Sequence, residues 1–134
     1  MQRRDLFALA ALPLLAPEGS LIPNGVVAKD QAHVTSQGNV GEAASYYDGR
    51  TDQTKNLSVG SWRIGPGKSP HGVHTRPEEE LLVFTEGSGE VSIQETRYKV
   101  LPGSIMYCAG NLPHGVYNTG ATEMLFYFIK WKAA

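Results

Sequence analysis

The sequence predicts an all-β fold, a small antiparallel β-barrel or jelly roll. Three observations predict it. First, 134 residues are one domain's worth of chain. Second, fifteen Gly and eight Pro, about 17% of the chain, exceed the usual combined share of roughly 12%. They are scattered between short apolar runs, not gathered in one linker. Third, about eight strand-like runs follow one another with turns between them, and no helical periodicity appears after residue 20. With 41% hydrophobic and 19% charged residues the chain is globular. A net charge of -1 offers nothing to a phosphate backbone, so nucleic acid is not an expected partner.

The elements follow in order. Residues 1–20 begin Met1-Gln2-Arg3-Arg4-Asp5-Leu6-Phe7 and continue as a short apolar stretch. The paired arginines resemble a twin-arginine export signal, which would send the chain to the periplasm. Pro13 inside the stretch and Pro17 after Ala16 argue against cleavage there, and the alternative is an N-terminal helix of a cytoplasmic protein. The stretch is too short for a membrane span, so the mature chain carries no integral membrane segment. Residues 21–56 read as an N-terminal arm with the first strands, one of them near Val26-Val27. Residues 57–134 read as the barrel.

Within the barrel, Leu57–Ile64 alternates imperfectly and ends at the loop Gly65–Pro70. Glu80–Thr85 is a strand stopped by Gly87-Ser88-Gly89. Glu90–Gln94 and Arg97–Val100 form a hairpin with Glu95-Thr96 at its turn. Ile105–Cys108 and His114–Asn118 are strands parted by a turn over residues 109–113. Glu123–Trp131 is apolar on both faces, as a strand buried within a sandwich is. The single cysteine, Cys108, excludes an internal disulfide and a CxxC zinc site, and reads as a small core hydrophobe.

Three of the four histidines, His71, His74 and His114, lie in or beside this strand-rich region. Two patterns carry them. His74, Arg76, Glu80 and Gly87 form one, with Glu80 and Gly87 in E(X)6G spacing. Gly103, Ala109, Asn111, His114 and Asn118 form the other. Together they resemble the two motifs of the cupin superfamily, G(X)5HXH(X)3-4E(X)6G and G(X)5PXG(X)2H(X)3N. The resemblance covers residues 57–131. The sequence departs from it at Arg76, which stands at the second histidine of motif 1, and at Ala109 and Asn111, which stand at the Pro and second Gly of motif 2.

The resemblance implies a cupin barrel whose His74, Glu80 and His114 hold a divalent transition metal (Fe, Mn, Ni, Cu or Zn). Two His and one carboxylate have the composition of the non-haem iron triad, which leaves positions open for substrate and oxygen. Arg76 has no lone pair to give a metal. Two roles stay open for it: pairing with Glu80, or orienting an anionic substrate as a catalytic-site residue. His71, three residues before His74, is a weaker substitute ligand. Glu79 is an alternative only if the register slips. Asn118 reads as a residue that fixes a strand or turn.

The expected function is therefore a small cupin that binds metal and acts on a small, anionic organic molecule, with dioxygenase-like chemistry first. The alternative is a non-catalytic small-molecule-binding cupin with a degenerate metal site. The family also implies a homodimer built by edge-strand pairing, a role suited to the C-terminal strand and to residues 17–50.

Overall fold

A computed structural model describes residues 19–134. The expected export signal lies outside the described residues. Nine strands run in order: β1 (His33–Ser36), β2 (Gly41–Gly49), β3 (Thr54–Ile64), β4 (Glu79–Glu86), β5 (Gly89–Ile93), β6 (Thr96–Val100), β7 (Ile105–Cys108), β8 (His114–Tyr117) and β9 (Met124–Ala133). The only helical segment among the described residues is a 3-10 turn over Lys29–Gln31. No helix among them is long and apolar enough to cross a membrane.

The strands form two antiparallel sheets. One has six strands in the order β1-β2-β3-β9-β4-β7; the other has three, β6-β5-β8. Alternation decides what lies between them. On β4, Leu82 and Phe84 point inward; on β9, Met124 and Phe126 do; on β7, Met106 and Cys108 do. They meet Val91 and Val116 from the smaller sheet in one core. Cys108 is buried as a small hydrophobe, and burial pushes its thiol up.

Four details differ from the sequence expectations. No strand forms at Val26-Val27, and Val26 is 90% exposed. The first strands are β1, exposed throughout, and β2, mostly half-buried, whose mixed sequences have no clean period for a pattern to reveal. The β5–β6 hairpin turns at Gln94-Glu95, since Ile93 pairs with Thr96. Gln94 takes the left-handed conformation there, with φ +54°. Finally, β9 is paired along both sides, with β3 and with β4. Its backbone edges are therefore used within the chain, and it is not a free strand for a second copy.

The motif positions have local explanations. Gly87 sits at φ +76°, and a Cβ there would lie 2.3 Å from the Glu123 carbonyl oxygen. Asn111, where motif 2 has Gly, also takes a left-handed conformation, φ +66°. Asn is among the few side chains that accept that conformation readily. Asn118 is 1% exposed. Its amide donates to the carbonyls of Ile64 (3.0 Å) and Thr122 (2.8 Å), and its oxygen accepts from the Gly120 N–H (3.0 Å). It clamps the β8–β9 turn to the end of β3.

Candidate metal and ligand site

The site forms where the loop after β3 returns to β8. His74 and His114 are an antiparallel backbone pair. The His74 N–H donates to the His114 carbonyl at 3.0 Å, and the His114 N–H donates to the His74 carbonyl at 2.9 Å. Directly opposed residues of such a pair project to the same side of the sheet. Their Nε2 atoms come within 3.2 Å, with the rings at 72°. Glu80, the inward residue at the start of β4, places Oε1 2.9 Å from His114 Nε2.

The hydrogen bonds assign the protons. His114 Nδ1 donates to the Leu112 carbonyl at 2.9 Å. Its Nε2 faces the Glu80 carboxylate, so both ring nitrogens have acceptors. The hydrogen bond to Glu80, helped by the one to Leu112, raises the affinity of His114 for its second proton. His74 goes the other way. Burial, then the neighbouring His71 and His114, push it down to about 4. His74 is thus neutral at pH 7, while a hydrogen bond of 2.9 Å joins His114 Nε2 to the Glu80 carboxyl.

His71 and Arg76 are placed differently. The His71 ring stacks on His74, with centroids 3.8 Å apart and planes tilted by 28°, and it lines the pocket from an exposed position. Its Nδ1 lies 3.1 Å from the Gly72 carbonyl. Ring lone pairs lie in the ring plane. Two nearly parallel stacked planes do not meet at bond distance, so His71 and His74 do not aim at one point. Arg76 is exposed and is not among the residues lining the pocket. Its charge still disfavours protonation of both His74 and His114. Glu80 pairs with His114, not with Arg76. On a continuous strand, residues two apart such as His74 and Arg76 would share a face. Here His74 makes only an isolated bridge, and β4 does not begin until Glu79. Without a strand, the two-residue period does not hold.

The pocket is a cavity of about 40 Å³. Its apolar walls include Trp62, Leu82, Val116, Phe126 and Phe128; its polar members are His71, His74, Glu80, His114 and Lys130. The sequence reading did not single out Lys130. It sits on β9 opposite Glu80, and its signal was a lysine that breaks the apolar run between Ile129 and Trp131.

The donors can be compared with what a metal requires. Two ligands each about 2.1 Å from one ion and at right angles lie about 3.0 Å apart. The separations of 3.2 Å and 2.9 Å around His114 Nε2 match that spacing. The Nδ1 bond to Leu112 is the outer-shell contact that orients a ligating imidazole through Nε2. As they stand, the donors face one another, and no group of three His, Cys, Asp or Glu among the described residues is placed to hold a metal ion. The donor types suit a divalent ion, and the two separations from His114 Nε2 match ligand spacing. Loading requires the His114 Nε2 proton to leave and the rings to turn toward a common centre.

Comparison with known proteins agrees with the architecture. A search of curated protein sequences finds no match. Among solved structures, the chain is similar to an RmlC-like cupin from Shewanella frigidimarina, with a TM-score of 0.69 at 13% identity, over 84% of this chain and 94% of that one. It is similar to a predicted oxalate decarboxylase from Thermotoga maritima, with a TM-score of 0.63 at 17% identity, over 81% and 99%. It is also similar to a cupin-2 domain from Rhodospirillum rubrum, with a TM-score of 0.64 at 10% identity, over 75% and 69%. At these identities the likeness is one of fold. The Cupin_2 family model, described as a cupin domain, matches residues 60–130, more than half of the chain. With both motifs, the jelly-roll sheets and this family match in agreement, the chain belongs to the cupin domain family.

Proposed function

We propose that this cupin holds a divalent transition metal with His74, Glu80 and His114 and acts on a small, anionic organic molecule, dioxygenase-like chemistry being the leading reaction class. One observation carries the reading: the Nε2 of His74 and a carboxylate oxygen of Glu80 lie 3.2 and 2.9 Å from His114 Nε2, at metal-ligand spacing, in a cavity with one apolar wall. Two His and one carboxylate are the donor set of non-haem iron oxygenases. Decarboxylation ranks behind it; the Thermotoga neighbour, described as a predicted oxalate decarboxylase, supports that chemistry on this fold alone. A bound ion would supply Lewis acidity and open coordination positions.

The chain's own residues have defined tasks in this reading. Leu112 fixes the His114 ring through Nδ1, leaving Nε2 for the ion. The neutral His74 needs no deprotonation to ligate at pH 7. Trp62, Phe126 and Phe128 give the cavity an apolar wall, which strengthens the charge interactions beside it. A second reading, a non-catalytic binding pocket without metal, is favoured by the closed Glu80–His114 pair.

Metal titration separates the two. Protein purified without chelators is assayed for metal content, then titrated by calorimetry with Fe(II), Mn(II), Ni(II) and Zn(II). The metal reading expects one ion per chain and loss of binding in His114→Ala and Glu80→Ala. A wild type that binds none of the four ions overturns it.

A further inference from the structure

Lys130 is the one lysine or arginine lining the cavity. Among the described residues it forms no ion pair, because the carboxylate across the strand, Glu80, is turned to His114. Its ammonium instead lies over the Phe128 ring, 5.1 Å from the centroid. Phe128 is itself held in place. It faces Gly60 on β3, where a Cβ would come within 2.5 Å of the ring. The missing side chain at Gly60 makes room for the ring, and the ring supports the ammonium at the cavity wall.

We infer that Lys130 is the anion anchor of this pocket and that the ligand it anchors is a small carboxylate. The arrangement of charged groups favours an anion. The Glu80 carboxylate is taken up by His114 at 2.9 Å, which leaves the Lys130 ammonium as the one charged group of the cavity without an ionic side-chain partner among the described residues. The surrounding walls are Trp62, Leu82, Phe126 and Phe128, an apolar lining in which an unpaired charge is costly and a paired one strong. The size selects among anions. One water position needs about 10–15 Å³, so the cavity of about 40 Å³ holds roughly three heavy atoms. That is the size of a carboxylate group and less than the five heavy atoms of a phosphate. The rest of the ligand would extend past Pro70 and His71 at the rim. The assignment deepens the proposed function and rests on it for the view of this cavity as the ligand site, but it does not require the metal. Arg76, the anion-orienting residue expected from sequence, lies outside the cavity.

The test compares acetate with acetamide, which share a shape and differ in charge, and adds inorganic phosphate. Binding is read from the Trp62 indole N–H by NMR in the metal-free protein, where no ion competes for the carboxylate. The wild type is expected to bind acetate about tenfold or more tighter than acetamide, as a charge-assisted hydrogen bond provides, and to exclude phosphate. Lys130→Met and Lys130→Gln abolish the difference; Lys130→Arg and Arg76→Met keep it. Folding of each variant is read from the same spectra. A wild type that does not distinguish acetate from acetamide overturns the inference, as does phosphate binding as tight as acetate. So does a folded Lys130→Met that still prefers acetate. Failure of the metal reading appears separately, as absent Zn(II) binding with acetate preference intact.

Discussion

His74 and His114 are forty residues apart in sequence and joined three times over. Two reciprocal backbone hydrogen bonds of 3.0 and 2.9 Å hold the loop after β3 to β8, and their Nε2 atoms meet at 3.2 Å. The backbone pairing fixes the side-chain pairing. Any ligand that takes both imidazoles therefore finds them already ordered, which lowers the entropy lost on binding.

Metal binding displaces one proton. In the metal-free protein that proton sits on His114 Nε2 between Glu80 and His74. Below the His114 titration, Zn(II) affinity should rise about tenfold per pH unit, with about one proton released per ion. Calorimetry at one pH in buffers of different ionisation enthalpy measures that number directly. A release near zero would mean that the ion binds elsewhere.

Stability of the metal-free protein should peak near pH 6.5 through this pair. His114 binds its proton more tightly in the fold than in the unfolded chain, where a histidine titrates at about 6.5. Its contribution is complete below that value and is lost as pH rises through the higher folded value. His74 is pushed down to about 4 in the fold. Its contribution is complete above 6.5 and is lost as pH falls toward 4. Urea unfolding from pH 4 to pH 9 tests this: His74→Ala should flatten the acid side and His114→Ala the alkaline side.

Asn118 is a structural residue, and Asn118→Ala should cost about 2–4 kcal/mol. The substitution leaves the carbonyls of Ile64 and Thr122 and the Gly120 N–H without their partner, in a place that is 1% exposed. Chemical denaturation measures the loss. A cost under about 0.5 kcal/mol would mean that water replaces the side chain.

Asn111 should tolerate Gly but not a β-branched residue. At φ +66° Asn111→Gly is near neutral, while Asn111→Val costs about 1–2 kcal/mol or more. The effect should reach the site, because the Asn111 N–H donates to the Arg76 carbonyl at 2.7 Å and ties the β7–β8 turn to the segment after His74. Thermal melting with Zn(II) titration of both variants checks stability and site together.

The strands from β3 to β9 were legible because their apolar runs are dense and their turns are marked by Gly, Pro and Asn. The motif spacings identified the fold family, since E(X)6G and H(X)3N reflect a strand length and a turn that the barrel imposes. β1 and β2 were not legible. β1 is exposed throughout and β2 is mostly half-buried, and it is pairing, β2 with β3 and β1 with β2, that makes them strands. Arg76 lies outside the cavity for a related reason: period-two alternation applies only where a continuous strand exists, and none runs from His74 to Glu78.

The sequence by itself determined the jelly roll, the positions of its later strands and the cluster of His74, Glu80 and His114 as candidates, because local pattern and spacing encode them. Only the tertiary structure decided which groups meet. It set His71 as a stacking partner of His74, turned Glu80 to His114 and put Arg76 outside the cavity. It brought Lys130 in from β9, fifty residues after Glu80, through the register of two strands. Such neighbours come from long-range sheet pairing, and no local signal in the chain specifies it.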